Sequence, residues 1–421
     1  MAPPGRLSRR AALALLATSG LGCGRRLRGE PEPTPTSPGD DAAVPTATPR
    51  PPDPSPTPIP RPSAIGRVTP PPSPTPLGGR GTRLSLALDG VPWAAQAGVF
   101  LAAERGYFAE VGLDVHLRAA ESREAALGAL ASGDDDLALV GGLDLLRARG
   151  EGAPVVSLFA VTPHPLVALL ALRAGGPGRP RDLDGRRVAM PADRFGRAVV
   201  EAILRGDGLD PARLADTPGV ADPVGALVAR RIDAFGGYAA REGAALEARG
   251  APPNIFAPDH FGVPDYYELV IATTDTFRSA RADQLRALAT ALVRGYADAA
   301  RSPNEALDAL VRASPALDRD VGARTLGALA GAWRASPIGE QADPVWRSSF
   351  IWAARLGLVN PSLDPGTAFT NDALPRPTPG PGGAATPVSS GTVSTPVRHP
   401  GAPGPPPPAG QRQPTAIRIG P

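Results

Sequence analysis

Aromatic and acidic side chains stand directly after predicted strands, where the chain turns. Asp89 and Trp93 lie in the turn DGVPW, which follows the alternating strand LSLAL. Tyr238 and Glu242 follow a strand that ends in two glycines, where a ligand can approach the backbone closely. An aromatic plane can stack on a flat heterocycle, and a carboxylate can accept its N–H donors. These residues therefore predict ligand binding.

Each of these residues also has a purely structural interpretation. Asp89 could form an Asx turn or cap the next helix. Trp93 could belong to the core, but it lies outside the alternating strand residues, and we expect it to face a ligand. In GVPDYYELV, Tyr266 and Glu268 share one face of the chain. Tyr267 points the other way, and we expect it in the core or in a hinge.

A second kind of candidate is a backbone donor, and other chemistry is not indicated. Gly142 follows the short buried strand DLALV and could offer its N–H group to a polar ligand, or form only a tight turn. The four histidines lack metal-ligand partners at useful spacing, and no Walker loop, dinucleotide fingerprint or GxSxG motif occurs. All 44 basic residues are arginines, so no lysine can hold pyridoxal phosphate. We expect no catalytic residue, no metal site and no cofactor.

The elements that position these residues alternate between strand and helix over residues 82–375. This α/β pattern predicts a mostly parallel sheet, followed by helices from Thr276 to Leu358. Two α/β halves, a return strand and a run of helices suggest two lobes joined by two chain crossings. Ligands in such proteins lie in the cleft between the lobes, outside the carboxyl ends of the strands. We expect lobe 1 at about 82–172 and 269–375, and lobe 2 at about 173–268.

Composition separates this folded part from its flanks. The 54 prolines of the 421 residues are concentrated in a linker, 24–81, and a tail, 376–421. Both segments have too few apolar residues to offset the entropy of ordering, so we expect them to be disordered or extended. The net charge of +3 indicates no strong field for nucleic acid. We expect a monomer with no nucleic-acid partner.

The amino terminus reads as an export signal. Residues 1–23 hold a basic region and an apolar run too short to span a membrane, which is typical of a signal peptide. The run resembles a twin-arginine signal and ends at Cys23 in a sequence similar to a bacterial lipoprotein box. Lipidation of Cys23 would anchor the protein to the outer face of the cell membrane, with the Pro-rich linker as a tether. Cleavage near the same place without lipidation is the alternative.

Several phrases together resemble one family over residues 84–375. The phrases are Leu88-Asp89, Pro92, GYF at 106–108, GLDV at 112–115, GGYAAREG at 236–243, GVPDYYELV at 262–270, Trp346 and Trp352 before GLV, and FTNDALP at 369–375. They resemble the solute-binding proteins of ABC importers for thiamine-pyrimidine precursors, which share a fold with sulfonate- and nitrate-binding proteins. The resemblance implies a type II periplasmic-binding-protein fold with an interlobe cleft. It also implies a small heteroaromatic ligand and an ABC permease and ATPase as partners.

The chain departs from this family at the site itself. Gly90 stands where the family has Trp, Trp93 where it has Asn, and Gln96 where it has His. Gln96 thereby joins the candidate ligand-binding residues. Riboflavin, a sulfonate- or nitrate-type ligand, and a transport-inactive surface protein of the same fold stay open as alternatives. Eukaryotic relatives that synthesise the pyrimidine use a cysteine cluster, a histidine and pyridoxal phosphate, and residues 82–375 contain no cysteine. We therefore predict a binding protein, not an enzyme.

Overall fold

The computed structural model describes residues 81–375, except 216 and 218. The predictions for the signal peptide, Cys23, the Pro-rich linker before residue 81 and the tail 376–421 lie outside the described residues. Among the helices of the described part, none is both long enough and apolar enough to span a bilayer.

The strands of the described part form two sheets. The first sheet has the order β2-β1-β3-β9-β4, and the second has the order β6-β7-β5-β8. The strands are β1 (Thr82–Leu88), β2 (Leu113–Ala119), β3 (Leu137–Val140), β4 (Val155–Thr162), β5 (Val167–Leu172), β6 (Val188–Ala189), β7 (Ala234–Tyr238), β8 (Pro253–Phe256) and β9 (Leu269–Thr274).

Both sheets are mixed, so the expectation of a mostly parallel sheet is wrong. Three of the seven strand pairings are parallel: β1 with β2, β1 with β3, and β6 with β7. The return strand β9 lies antiparallel between β3 and β4. In the second sheet, β5 lies antiparallel to both of its neighbours. Each antiparallel pair therefore includes β5 or β9, the two strands that begin just after the chain passes from one sheet to the other.

Helices surround both sheets, and residues 275–355, which follow β9, are mostly helical. Those of the described part are α1 (Ala97–Glu104), α2 (Tyr107–Glu110), α3 (Arg123–Ser132), α4 (Gly142–Gly150), α5 (Arg194–Gly206), α6 (Pro223–Val228), α7 (Ala239–Ala248), α8 (Asp275–Ala280), α9 (Ala282–Arg301), α10 (Pro303–Ala313), α11 (Arg319–Ala335) and α12 (Asp343–Arg355).

Capping residues define the ends of the helices that line the site. The Ser122 hydroxyl accepts a hydrogen bond from the Ala125 N–H at 3.1 Å and so begins α3. Gly133 ends that helix in the left-handed conformation, with φ of 84°. The Asp193 carboxylate accepts from the Gly196 N–H at 2.7 Å and begins α5. Arg123 is thus fixed in the first turn of α3, beside the first sheet, and Asp193 at the N-cap of α5, beside the second.

The chain passes between the sheets twice, at 163–166 and at 257–268. The first passage precedes β5, which pairs with β7 and β8 of the second sheet. We expected the first segment of lobe 1 to end at residue 172. It ends before β5 instead, because β5 belongs to the second sheet. Its sequence VALLAL is apolar throughout, and every residue of it is buried, as in a central strand.

An apolar core lies on each face of the first sheet. Leu84, Leu86 and Leu88 face a cluster with α1 and α9, whereas Ala87 faces a cluster that includes residues of the second sheet. Trp333 and Trp346 are buried in these clusters.

Candidate functional site

Asp89 organises the turn after β1. One carboxylate oxygen accepts a hydrogen bond from Nε2 of Gln96 at 2.6 Å, and the other accepts from Nε1 of Trp93 at 3.3 Å. Gly90 has φ of 145°, a conformation that a residue with a side chain adopts only under strain. The chain therefore cannot readily hold a tryptophan at position 90. It carries Trp93 three residues later instead, with the indole fixed by Asp89.

Trp93 and Tyr238 meet across the two sheets. Their ring centroids are 5.4 Å apart and their planes differ by 16°, so the rings are stacked. Trp93 follows β1 of the first sheet, and Tyr238 ends β7 of the second. Trp93 is 5 % exposed and packs in the core, which agrees with its structural interpretation. Contact of its ring with a ligand stays a prediction.

Two arginines that the sequence analysis missed complete this stack. The Arg241 guanidinium lies 5.4 Å from the ring centroid of Trp93 and 5.0 Å from that of Tyr238. It donates a hydrogen bond to the neighbouring Glu242 at 2.8 Å. Arg123 lies 5.8 Å from the Tyr238 centroid and donates to its hydroxyl. Nothing in the sequence distinguishes these two among its many arginines, because Arg194 and Arg319 also lie in the first turn of a helix.

Glu268 is the buried anchor of the site. It is 3 % exposed and accepts three hydrogen bonds at 3.1 Å, from Nη1 of Arg123, the N–H of Leu166 and the hydroxyl of Tyr266. Burial alone would lower the pKa of the Arg123 guanidinium, but Tyr238, Glu268 and other acidic neighbours raise that pKa well above its usual value. The structure thus brings Tyr266 and Glu268 together, and it pairs Glu268 with a cation.

Gly142 is used for packing. Its N–H donates to the carbonyl of Tyr267 at 3.1 Å, and a Cβ there would meet the same oxygen at 2.5 Å. The donor that Gly142 was expected to offer to a ligand is therefore occupied, which favours the tight-turn alternative. Tyr267 is buried, packs its ring against Trp346 at a tilt of 36°, and accepts from the Ala342 N–H at 2.7 Å, so it belongs to the core.

A narrow cavity of about 20 Å³, roughly the space of one water molecule, lies between the sheets. Its charged lining consists of three acids, Asp144, Asp193 and Glu268, and one base, Arg123. Burial raises the pKa of Asp144 to about 6, Arg123 opposes that rise, and Asp193 adds to it. The cavity wall is therefore acidic in character.

Two buried acceptor atoms beside the stack have no hydrogen-bond partner in the described part of the chain. They are Oε1 of Gln96 and Oε2 of Glu242. The orientation of the Gln96 amide is fixed, because the Asp89 carboxylate can accept only from its NH₂ group. Buried polar atoms are normally paired, so each of these atoms is placed to accept a hydrogen bond from a water molecule or a ligand.

Metal-ligating side chains are not gathered anywhere in residues 81–375 as described: no group of three or more His, Cys, Asp or Glu residues is placed to hold an ion. His116 pairs with Asp114, and His164 with Asp265. The candidate site is therefore built from aromatic rings, two arginines and carboxylates.

Known proteins resemble this chain in sequence and in fold. The model of a family described as NMT1/THI5-like matches residues 93–306. A formylaminopyrimidine-binding protein of Halalkalibacterium halodurans is 32 % identical over 232 residues, which are 54 % of this chain and 69 % of that protein. A riboflavin-binding protein of Chloroflexus aurantiacus is 24 % identical over 308 residues, 70 % of this chain and 86 % of that protein.

Solved structures share the architecture. The alkanesulfonate-binding protein of Xanthomonas axonopodis pv. citri, bound to MOPS, superposes with a TM-score of 0.54 at 16 % identity. The superposition covers 70 % of this chain and 99 % of that one. This likeness shows the fold, a two-lobed periplasmic-binding-protein fold in which the stack of Trp93 and Tyr238 joins the two sheets.

Proposed function

This chain belongs to the NMT1/THI5-like family, and we propose that it is the extracytoplasmic solute-binding component of an ABC importer. In this proposal it captures a small heteroaromatic nutrient such as a thiamine pyrimidine precursor. The observation that carries the proposal is the stack of Trp93 on Tyr238, because it places an aromatic ring from each sheet at the same point. A flat ligand held there would contact both lobes at once.

Ligand entry requires the lobes to separate. A ring between two aromatic planes needs contacts of about 3.5 Å on both faces, hence about 7 Å between the planes. The centroids of Trp93 and Tyr238 are 5.4 Å apart, so the present arrangement is closed. Rotation about the crossings at 163–166 and 257–268 would open it, as in hinge closure of two-lobed binding proteins.

The charges at the site favour a ligand with N–H donors. The cavity lining has three acids against one arginine, and that arginine is already paired with Glu268. The unpaired acceptors of Gln96 and Glu242 call for donors. The two cations near the stack, Arg123 and Arg241, are each paired with a carboxylate, Glu268 and Glu242 respectively. A sulfonate or nitrate would have to displace one of these pairs, whereas an amino-substituted ring would meet acceptors. The similarity to a formylaminopyrimidine-binding protein supports the same ligand class.

Riboflavin is the second candidate ligand. The similarity to a riboflavin-binding protein spans more of this chain than the similarity to the pyrimidine-binding one. A flavin also combines a flat ring system with an N–H group, but it is larger and requires wider opening of the stack. The unpaired buried acceptors favour a ligand-binding protein over a transport-inactive protein of the same fold.

The remaining parts of the proposal concern location and partners. Lipidation at Cys23 would hold the protein at the outer face of the cell membrane, where the closed form would dock on a permease with its ATPase. We propose a monomer. We also propose that the protein has no catalytic residues, because the resemblance implies that the related pyrimidine-synthesising enzymes use a cysteine cluster, and residues 81–375 contain no cysteine.

Calorimetric titration of the purified full chain tests the ligand class. The titrants are 4-amino-5-hydroxymethyl-2-methylpyrimidine, formylaminopyrimidine, riboflavin and an alkanesulfonate. We expect micromolar or tighter affinity for a heteroaromatic titrant and none for the sulfonate. Trp93→Ala and Tyr238→Ala should each weaken binding by about tenfold or more, the loss expected for one aromatic contact. Trp352→Ala, on α12 and outside the stack, should bind normally. If no heteroaromatic titrant binds, the proposal fails.

A further inference from the structure

We propose that Arg123 is a positioning residue that holds Tyr238 in its stacked orientation against Trp93. Arg123 begins α3, next to the first sheet, and Tyr238 ends β7 of the second. Its guanidinium donates to the Tyr238 hydroxyl through one terminal nitrogen and to Glu268 through the other, at 3.1 Å. The significance of this contact for ligand binding rests on the proposed function, but the contact itself can be tested without a ligand.

Glu268 fixes the position of the guanidinium. Its carboxylate also accepts from the N–H of Leu166, in the first chain crossing, and from the hydroxyl of Tyr266, in the second. Both crossings therefore hold the anion to which Arg123 is attached. A change at either crossing would be transmitted through Glu268 and Arg123 to the Tyr238 hydroxyl.

A guanidinium group suits this positioning role better than an ammonium group. The two terminal nitrogens of a planar guanidinium point in fixed directions, one to a carboxylate and one to a phenol, whereas a lysine offers one flexible point charge. Arg241 and Trp93 contact the face of Tyr238, but only Arg123 bonds its hydroxyl among the described hydrogen bonds. Without that bond, the face contacts alone would set the orientation of the ring.

A ligand-free experiment measures the stack directly. Near-ultraviolet circular dichroism is recorded for the full chain and for Trp93→Phe, and the difference gives the signal of Trp93. The same difference is then taken in Arg123→Lys, in Tyr238→Phe and in the paired variant Arg123→Met with Glu268→Gln, which removes both buried charges together. We expect the Trp93 signal to fall by about half or more in each background. An unchanged Trp93 signal in folded Arg123→Lys and in the folded paired variant would overturn the inference.

A binding experiment separates positioning from general stability. With riboflavin and 4-amino-5-hydroxymethyl-2-methylpyrimidine as probes, Arg123→Lys and Tyr238→Phe should each change affinity by about tenfold in the same direction, and the double variant should change it no further than either. If the two substitutions changed affinity independently, so that their effects multiplied in the double variant, Arg123 would not act through the Tyr238 hydroxyl. Arg118→Lys, which alters a paired arginine on β2, is the matched control. If the unaltered protein binds neither probe, the proposed function fails, while the dichroism still decides the role of Arg123.

Discussion

At the scale of single residues, Asp144 shows how the acidic cavity responds to pH. It lies in the first turn of α4, 3.9 Å from Arg123, and burial raises its pKa to about 6. An unfolded aspartate has a pKa of about 3.9, so the folded state binds the proton more tightly. The contribution of Asp144 to stability is therefore greatest below about pH 4 and declines as pH rises to about 6.

Asp144→Asn removes this titration. We expect the variant to exceed the unaltered protein in free energy of unfolding by about 1–2 kcal/mol at pH 8, and by nothing measurable at pH 4. Urea unfolding at both pH values gives the difference. Asp283→Asn, at an exposed carboxylate, is the control and should change little at either pH. If Asp144→Asn and the unaltered protein differed in free energy of unfolding by the same amount at both pH values, the raised pKa of Asp144 would be contradicted.

The sequence predicted the candidate residues at strand ends better than the arginines that reach them from helices. Asp89, Trp93 and Tyr238 follow strand ends, and the fold brings strand ends of the two sheets together, so their meeting could be expected. Arg123 and Arg241 could not be identified, because a long side chain reaches any of several neighbours and the sequence does not show which. The N–H of Gly142 was misjudged because its hydrogen-bond partner, Tyr267, is more than a hundred residues away.

At the scale of elements, two glycines allow α1 and α9 to pack closely. A Cβ at Gly295 would overlap the carbonyl oxygen of Gly98, and one at Gly98 would overlap the ring of Tyr296. Tyr296 is fully buried and donates its hydroxyl to the carbonyl of Ala95, just before α1. The contact between these two helices supports the turn that carries Trp93.

Gly295→Ala should therefore destabilise the protein, although alanine is the better helix former. We expect a loss of about 3 kcal/mol in free energy of unfolding, since a rigid backbone contact must separate. Gly331→Ala is the matched control, because it lies within α11 with nothing near its Cβ. That change should stabilise by up to about 1 kcal/mol, and equal effects of the two substitutions would contradict the close packing.

Strand existence was easier to predict than strand direction. Alternating residues identified β1, and the apolar runs of β3 and β4 were equally clear. The mixed pairing was not predicted, because direction depends on where β9 re-enters the first sheet after 257–268. β5 was overlooked, although its uninterrupted apolar run is typical of a buried strand, since only four residues, Pro163 to Leu166, separate it from β4.

At the scale of the whole molecule, the two chain crossings are joined by a histidine–aspartate pair. His164, in the first crossing, and Asp265, in the second, are 2.9 Å apart between Nδ1 and Oδ2. This hydrogen bond raises the pKa of His164 above its ordinary value, against the opposing effect of burial. The N–H of Leu166, in the first crossing, also donates to Glu268, in the second. The crossings are therefore linked on the buried side by a hydrogen bond to a carboxylate and on the exposed side by a pair that titrates.

Because the pKa of His164 is raised in the folded state, its contribution to stability is complete below the unfolded pKa, about 6.5, and is lost as pH rises through the folded value. Asp265→Asn should therefore reduce the free energy of unfolding more at about pH 5.5 than at about pH 8.5, and high salt should shrink that difference. Asp259→Asn is the control, since Asp259 pairs with His260 within one turn and joins no separate segments. Chemical denaturation of each variant at both pH values measures the effect. An equal loss at both pH values would show that Asp265 acts through its backbone contact with Tyr266 and not through the histidine.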